Sequence, residues 1–145
     1  MKRNGFTLIE VMIVVAIVAI LGGVALPAYT SYIARGKISD AMAALADYRI
    51  KMEQYFQDNR NYGTAGAACS VAVTTSSNFT YTCTVGTPNT TFIASATSIA
   101  GALGNATGDY TYTINESNAK GTLKFKGTSY TSGTKTCWLV RGGEC

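Results

Sequence analysis

A run of 21 residues, Phe6 to Leu26, holds only two clearly polar side chains, Thr7 and Glu10. As a helix rising about 1.5 Å per residue it spans about 31 Å, close to the hydrocarbon thickness of a bilayer. Lys2 and Arg3 precede the run and hold that end of the chain on the cytoplasmic side. The remainder then faces an oxidising compartment. Four cysteines, Cys69, Cys83, Cys137 and Cys145, point independently to the same place, because an even count in a small Thr-, Ser- and Gly-rich domain suggests disulfides. The generic alternative is a cleaved secretory signal peptide. Glu10 is costly inside the apolar core of such a peptide, no clean A-x-A site follows the run, and the helical pattern continues beyond it.

The segment KRNGFTLIEVMIVVAIVAIL resembles the N-terminus of a type IV prepilin. In that family a short basic leader ends in glycine, here Gly5. A membrane peptidase cuts before the next residue, here Phe6, and methylates the new amine. The glutamate five places into the mature chain is here Glu10. The resemblance implies residues 1–5 as a cleaved leader, 6–28 as the membrane and fibre-core half of a helix, and 29–145 as a periplasmic and then extracellular head. It implies other pilin subunits, the prepilin peptidase and the inner membrane as partners. Location changes from the inner membrane before assembly to the pilus fibre afterwards.

The resemblance also gives Glu10 a physical task. A carboxylate in lipid costs several kcal/mol unless neutral or paired. Cleavage creates an α-amine, whose reference pKa of about 7.7–8 leaves it largely protonated at neutral pH. Phe6 and Glu10 are spaced to pair within one helix, but that pair gains little from assembly. In the family, the glutamate is thought to neutralise the amine of a neighbouring subunit. A buried pair of that kind sets register more than raw stability.

Gly22, Gly23 and Pro27 cluster within six residues. Proline lacks an N–H and clashes with the carbonyl four residues back, and glycine is a poor helix former. An isolated subunit is expected to carry a gently kinked, continuous helix. Family analogy implies local melting over 20–27 in the fibre.

From Tyr29 to about Asp58 the pattern becomes amphipathic. Ile38, Ala41, Leu45, Tyr48, Met52 and Tyr55 recur at helical spacing and form one apolar stripe. Asp47–Lys51 and Arg49–Glu53 are charged pairs four apart on the solvated side. NRNYG supplies the stop between Asn59 and Gly63. Residues 59–78 read as loop. Four strand-like runs follow: 79–85, 109–114 and 122–126 alternate with period two, and 91–99 is β-rich. In 122–126, Leu123 and Phe125 are expected on one face and Lys124 and Lys126 on the other. The fold class is therefore α+β, a long N-terminal helix packed on a four-stranded antiparallel sheet, which is also the pilin layout.

Four cysteines allow three pairings, and sequence alone does not choose among them. The two sequence-local closures, Cys69–Cys83 and Cys137–Cys145, are favoured, and the second resembles the family's C-terminal disulfide loop. A bridge from Cys69 to the C-terminal region is the alternative. The spacings lack the close pairs typical of zinc sites. Asn78, Asn89, Asn105 and Asn115 open N-x-[ST] sequences, read here as turn and surface chemistry.

Functional classes narrow from composition. The chain has no histidine and eight acidic residues, which argues against a hydrolase or metalloenzyme. No cofactor and no metal are expected. The leading reading is a non-enzymatic pilus subunit supporting adhesion, twitching motility and DNA uptake. One alternative is a minor pilin whose head contacts DNA or a surface through Lys120, Lys124, Lys126, Lys135 and Arg141. A solvated outer face explains the same lysines more simply. A type II secretion pseudopilin is the other alternative.

Overall fold

The computed structural model describes residues 7–73, 75–103, 106–131 and 135–145. Gly5, Phe6 and Asn105 lie outside the described residues. The chain divides into two compact units, Met1–Ala34 and Arg35–Cys145. One helix, α1, runs Leu8–Asn59.

Thr7 caps the start of α1: its hydroxyl accepts the Glu10 N–H at 3.3 Å. The large apolar side chains between Leu8 and Leu26 are 51–78% exposed, so this stretch builds no core of its own. Pro27 sits inside the helix without ending it. Just beyond it, the Thr30 hydroxyl donates to the Pro27 carbonyl at 3.0 Å and the Ser31 hydroxyl to the Ala28 carbonyl at 2.8 Å. Both bonds fall in the turn after the proline, whereas the carbonyl that its missing N–H leaves without a helical donor is that of Gly23.

The head is built on the second half of α1. Ile38, Ala41, Leu45, Tyr48 and Met52 are buried, as the stripe predicts, while Tyr55 at its end is only half-buried. Asp47 and Lys51 form an ion pair at 2.8 Å. Arg49 does not pair with Glu53; it donates through Nε and Nη2 to the Glu116 carbonyl at 3.2 Å each, tying the helix to a sheet turn. The helix stops where Arg60 turns left-handed (φ 59°) and its N–H returns to the Phe56 carbonyl at 2.7 Å.

Five strands form one antiparallel sheet in chain order: β1 Phe79–Val85, β2 Phe92–Ser98, β3 Thr111–Asn115, β4 Lys120–Phe125 and β5 Thr128–Ser129. The expected count was four. The fifth arises because Lys126 and Gly127 both adopt positive φ (50° and 79°), making a two-residue hairpin turn that returns the chain along β4. Lys126 is therefore a turn residue, not a strand residue beside Lys124.

The expected facing of β4 also changes. Thr111 pairs with Lys124 but Tyr112 pairs with Thr122, so Leu123 is an extra residue in a bulge. Thr122 and Phe125 point inward as a result, and Leu123 is only half-buried. The inner face otherwise follows period two: Phe79, Cys83 and Val85, then Phe92, Ala94, Ala96 and Ser98, then Tyr112 and Ile114. Ala41, Ala94 and Ala96 are fully buried, and small side chains at such points let backbones approach closely.

Buried phenols tie loops to this core. Tyr48 donates to the Val71 carbonyl and Tyr112 to the Leu139 carbonyl, each at 2.8 Å. Burial pushes the Tyr48 phenol up to about 12. Burial, then the neighbouring Glu53 carboxylate, pushes Tyr62 up to about 12 as well. These groups stay neutral in the folded head while an unfolded tyrosine ionises near pH 10. Their contribution to stability is complete below about pH 10 and disappears as pH rises through about 12. Chemical denaturation of the full chain in detergent is expected to show stability falling across that window. Tyr48→Phe should lose about 1 kcal/mol at neutral pH and fall less steeply above pH 10. An unchanged alkaline slope would contradict this.

Candidate functional site

Two sets of functional side chains emerge, one in each unit. In the first, Glu10 lies one turn into α1 among exposed apolar side chains. Only its backbone N–H is engaged, by Thr7; its carboxylate has no ion pair or hydrogen bond among the described residues. Val11, Val14 and Val15 join it around an apolar recess of about 230 Å³. A Cβ added at Gly22 or Gly23 would meet nothing within 4 Å, so packing within the single chain does not require glycine there. The helix is long and apolar enough to cross a membrane.

The second set lies around β4 and the C-terminal segment. Lys120 Nζ stands 4.8 Å from the Trp138 ring centre and Lys135 Nζ 5.8 Å from that of Tyr130. Both border one groove of about 290 Å³. Lys126 stands 5.6 Å from the Phe125 ring, against which Gly142, the neighbour of Arg141, also rests. Lys124 is half-buried on β4. Among the described residues none of these five cations is paired with a carboxylate, since the one ion pair is Asp47–Lys51. Contact with ring faces adds about 0.5–1 kcal/mol at exposed sites and leaves the charge uncompensated.

Two disulfides frame the head. Cys69–Cys83 bonds the loop after α1 to β1, with Cα atoms 5.4 Å apart. Beside it the Cys69 N–H donates to the Cys83 carbonyl and the Val85 N–H to the Ala67 carbonyl, covering that end of the sheet edge. Cys137–Cys145 closes the C-terminal loop, with Cα atoms 6.2 Å apart. Trp138, the residue after Cys137, is half-buried, and its indole N–H donates to the Thr113 carbonyl of β3 at 2.8 Å. Among the described residues no three His, Cys, Asp or Glu side chains gather as a metal site.

Inside the C-terminal loop is an arrangement that the sequence reading missed. The Glu144 carboxylate accepts the N–H groups of Val140, Arg141, Gly142 and Gly143, at 3.3, 2.8 and 3.0 Å for Val140, Gly142 and Gly143. Gly142 makes the concave turn possible with φ 108°, and a side chain there would also press on Phe125. Desolvation works against the charged form, but the N–H groups of Gly142, Arg141, Glu144 and Val140 together outweigh it and hold the carboxyl below its ordinary value. The signal was RGGE between two cysteines, a glycine turn followed by a short acceptor.

A depressed carboxyl stabilises its surroundings above its unfolded pKa and stops doing so as pH falls through the folded one. The hydrogen-exchange protection factors of amides 140–143, measured by NMR against their intrinsic rates, are expected to fall as Glu144 protonates. In Glu144→Gln they should be lower at neutral pH and lack that acid step. Equal protection in both chains would contradict the role of the carboxylate.

A helix apolar in its first half and built into a small antiparallel head by its second is the layout of pilin-type filament subunits. Residues 1–26 match the prokaryotic N-terminal methylation motif. Residues 27–106 match the family described as type IV minor pilin ComP, DNA uptake sequence receptor. The chain belongs to that family of type IV pilins. It is 35% identical over 95 residues to fimbrial protein EcpC of Eikenella corrodens, covering 66% of this chain and 62% of that one. It is 42% identical over 73 residues to the type IV major pilin protein PilE of Neisseria gonorrhoeae, covering 46% and 44%. The chain spans about half the length of the curated relatives it matches. A solved type IV pilin from Shewanella oneidensis shares the fold with a TM-score of 0.51 at 14% identity, covering 73% of this chain and 98% of that one.

Proposed function

We propose that the chain is trimmed before Phe6, methylated there, and assembled through α1 into a type IV pilus as a structural subunit. The observation that carries this reading is Glu10. It is a carboxylate in the first turn of a helix, without an ion pair among the described residues, and the large apolar side chains around it are exposed. In a lipid-like fibre core that carboxylate requires a cation, and the amine released by trimming supplies one from a neighbouring subunit. Gly22, Gly23 and Pro27 add a stretch where the helix can melt under packing. Before assembly the same helix anchors the chain in the inner membrane. The prepilin peptidase and other pilin subunits are its partners, and adhesion, twitching motility and DNA uptake are the processes such a fibre serves.

Removing the charge tests this directly. Glu10→Gln subunits are expected in the membrane at normal levels but absent from sheared fibres by electron microscopy. Normal fibres from the variant would overturn the pairing.

The family's description as a DNA uptake sequence receptor favours a second role alongside the first. The five cations around β4 and the C-terminal loop, unpaired among the described residues, suit contact with a phosphate backbone. On this reading the subunit is a minor pilin. The full chain in detergent should bind duplex DNA with log K falling steeply with log salt. Lys124→Gln with Lys126→Gln should flatten the slope by about 0.9 for each phosphate no longer neutralised. Absence of binding at low salt would remove this role and leave the structural one.

A further inference from the structure

The groove bordered by Lys120 and Lys135 has a chemistry that phosphate contact alone does not require. Its walls include Ile93, Ala119 and Leu123. Ile93 is 59% exposed, and in the strands of the head it is the large aliphatic side chain left open to solvent. Leu123 is present because the β4 bulge turns it away from the core position that Thr122 fills. Gly121, another lining residue, has no room for a side chain: a Cβ there would fall 2.6 Å from the Thr113 hydroxyl. Asn115, also in the lining, accepts the Ala119 N–H through Oδ1 at 2.8 Å. Its Nδ2 is left pointing a donor elsewhere, with no partner among the described residues.

We propose that this groove takes a single unstacked nucleobase of a DNA strand, with Lys120 and Lys135 on the phosphates either side of it. The inference rests on the DNA-contact reading and deepens it from a charged surface to a base-holding site. A volume of about 290 Å³ is at the small end for ligand pockets. It admits one flat ring and excludes a duplex or a helix, whose side-chain envelope is about 10–12 Å across. The aliphatic walls gain by covering the face of a base, which every base presents whatever its sequence. The Asn115 amide offers a donor to a base acceptor. Lys120 and Lys135 are held against Trp138 and Tyr130 rather than against acids, so their charge remains for phosphate.

Fluorescence anisotropy with the full chain in detergent separates the two levels of the claim. The probes are a labelled single strand of about ten thymidines, within the usual span of single-strand sites, and an abasic sugar–phosphate strand of the same length and charge. The thymidine strand is expected to bind about tenfold or more tightly. Ile93→Gln, at an exposed position, should bring that ratio close to one with little change for the abasic strand, near-ultraviolet circular dichroism confirming an intact head. Lys120→Gln with Lys135→Gln should weaken both strands alike and flatten the salt slope by about 0.7 for each phosphate that loses its cation. Equal binding of both strands by the unaltered chain would overturn the base site while leaving phosphate contact intact. Binding of neither strand would overturn the base site, while the salt titration with duplex DNA decides the DNA-contact reading separately.

Discussion

The head depends on one contact, the apolar stripe of α1 against the inner face of the sheet. Ile38, Ala41, Leu45, Tyr48 and Met52 are each at most 3% exposed. They cover Phe79, Phe92, Tyr112 and Ile114, which would otherwise leave a small twisted sheet with one wet apolar face. Burying a large aliphatic or aromatic side chain contributes about 1.5–3 kcal/mol, so five helical positions outweigh any surface ion pair in the chain. The loops are then fastened to that core by donors aimed at carbonyls: Tyr48 to Val71, Tyr112 to Leu139, Arg49 to Glu116 and Lys37 to Ala102. The two disulfides add covalent closure where the chain is least regular.

What the sequence made legible follows from this division of labour. Periods of 3.6 and 2 are imposed by burial, so the stripe and most of the inner sheet face could be read directly. The β4 bulge could not, because one inserted residue leaves Leu123 and Phe125 looking like alternate members of a strand while the structure buries Thr122 instead. The Lys126–Gly127 turn was hidden for a related reason, since a non-glycine residue with positive φ has no strong local signature. Of the candidate site, the unusual position of Glu10 was evident from a carboxylate inside an apolar run. The groove was not, because it joins Ile93, Leu123 and Lys135 from three separate segments. The amide cradle around Glu144 went unread although RGGE lies inside the expected Cys137–Cys145 closure, because a glutamate at a loop end carries no signal of which N–H groups its carboxylate will meet.

The two functional regions share a logic. Each leaves charge without a partner among the described residues. Glu10 has no cation among the described residues, and Lys120, Lys124, Lys126, Lys135 and Arg141 have no acid. Soluble domains tolerate the second condition easily, since exposed lysines are well solvated. They rarely show the first, because a carboxylate ringed by Val11, Val14 and Val15 is stranded once lipid or protein replaces water. On the proposed function, assembly answers a need of the helix, whereas anion contact is an opportunity offered by the head.

The central claim is that the amine released by trimming meets Glu10 of a different subunit. Zero-length carbodiimide coupling on fibres grown from mixed light and ¹⁵N-labelled subunits, read by mass spectrometry, tests it most directly. The account predicts an amide joining the Phe6 amine to the Glu10 side chain, with mixed-isotope crosslinked peptides in proportion to random mixing. Crosslinks confined to one isotope, or fibres made of chains that still carry residues 1–5, would contradict it.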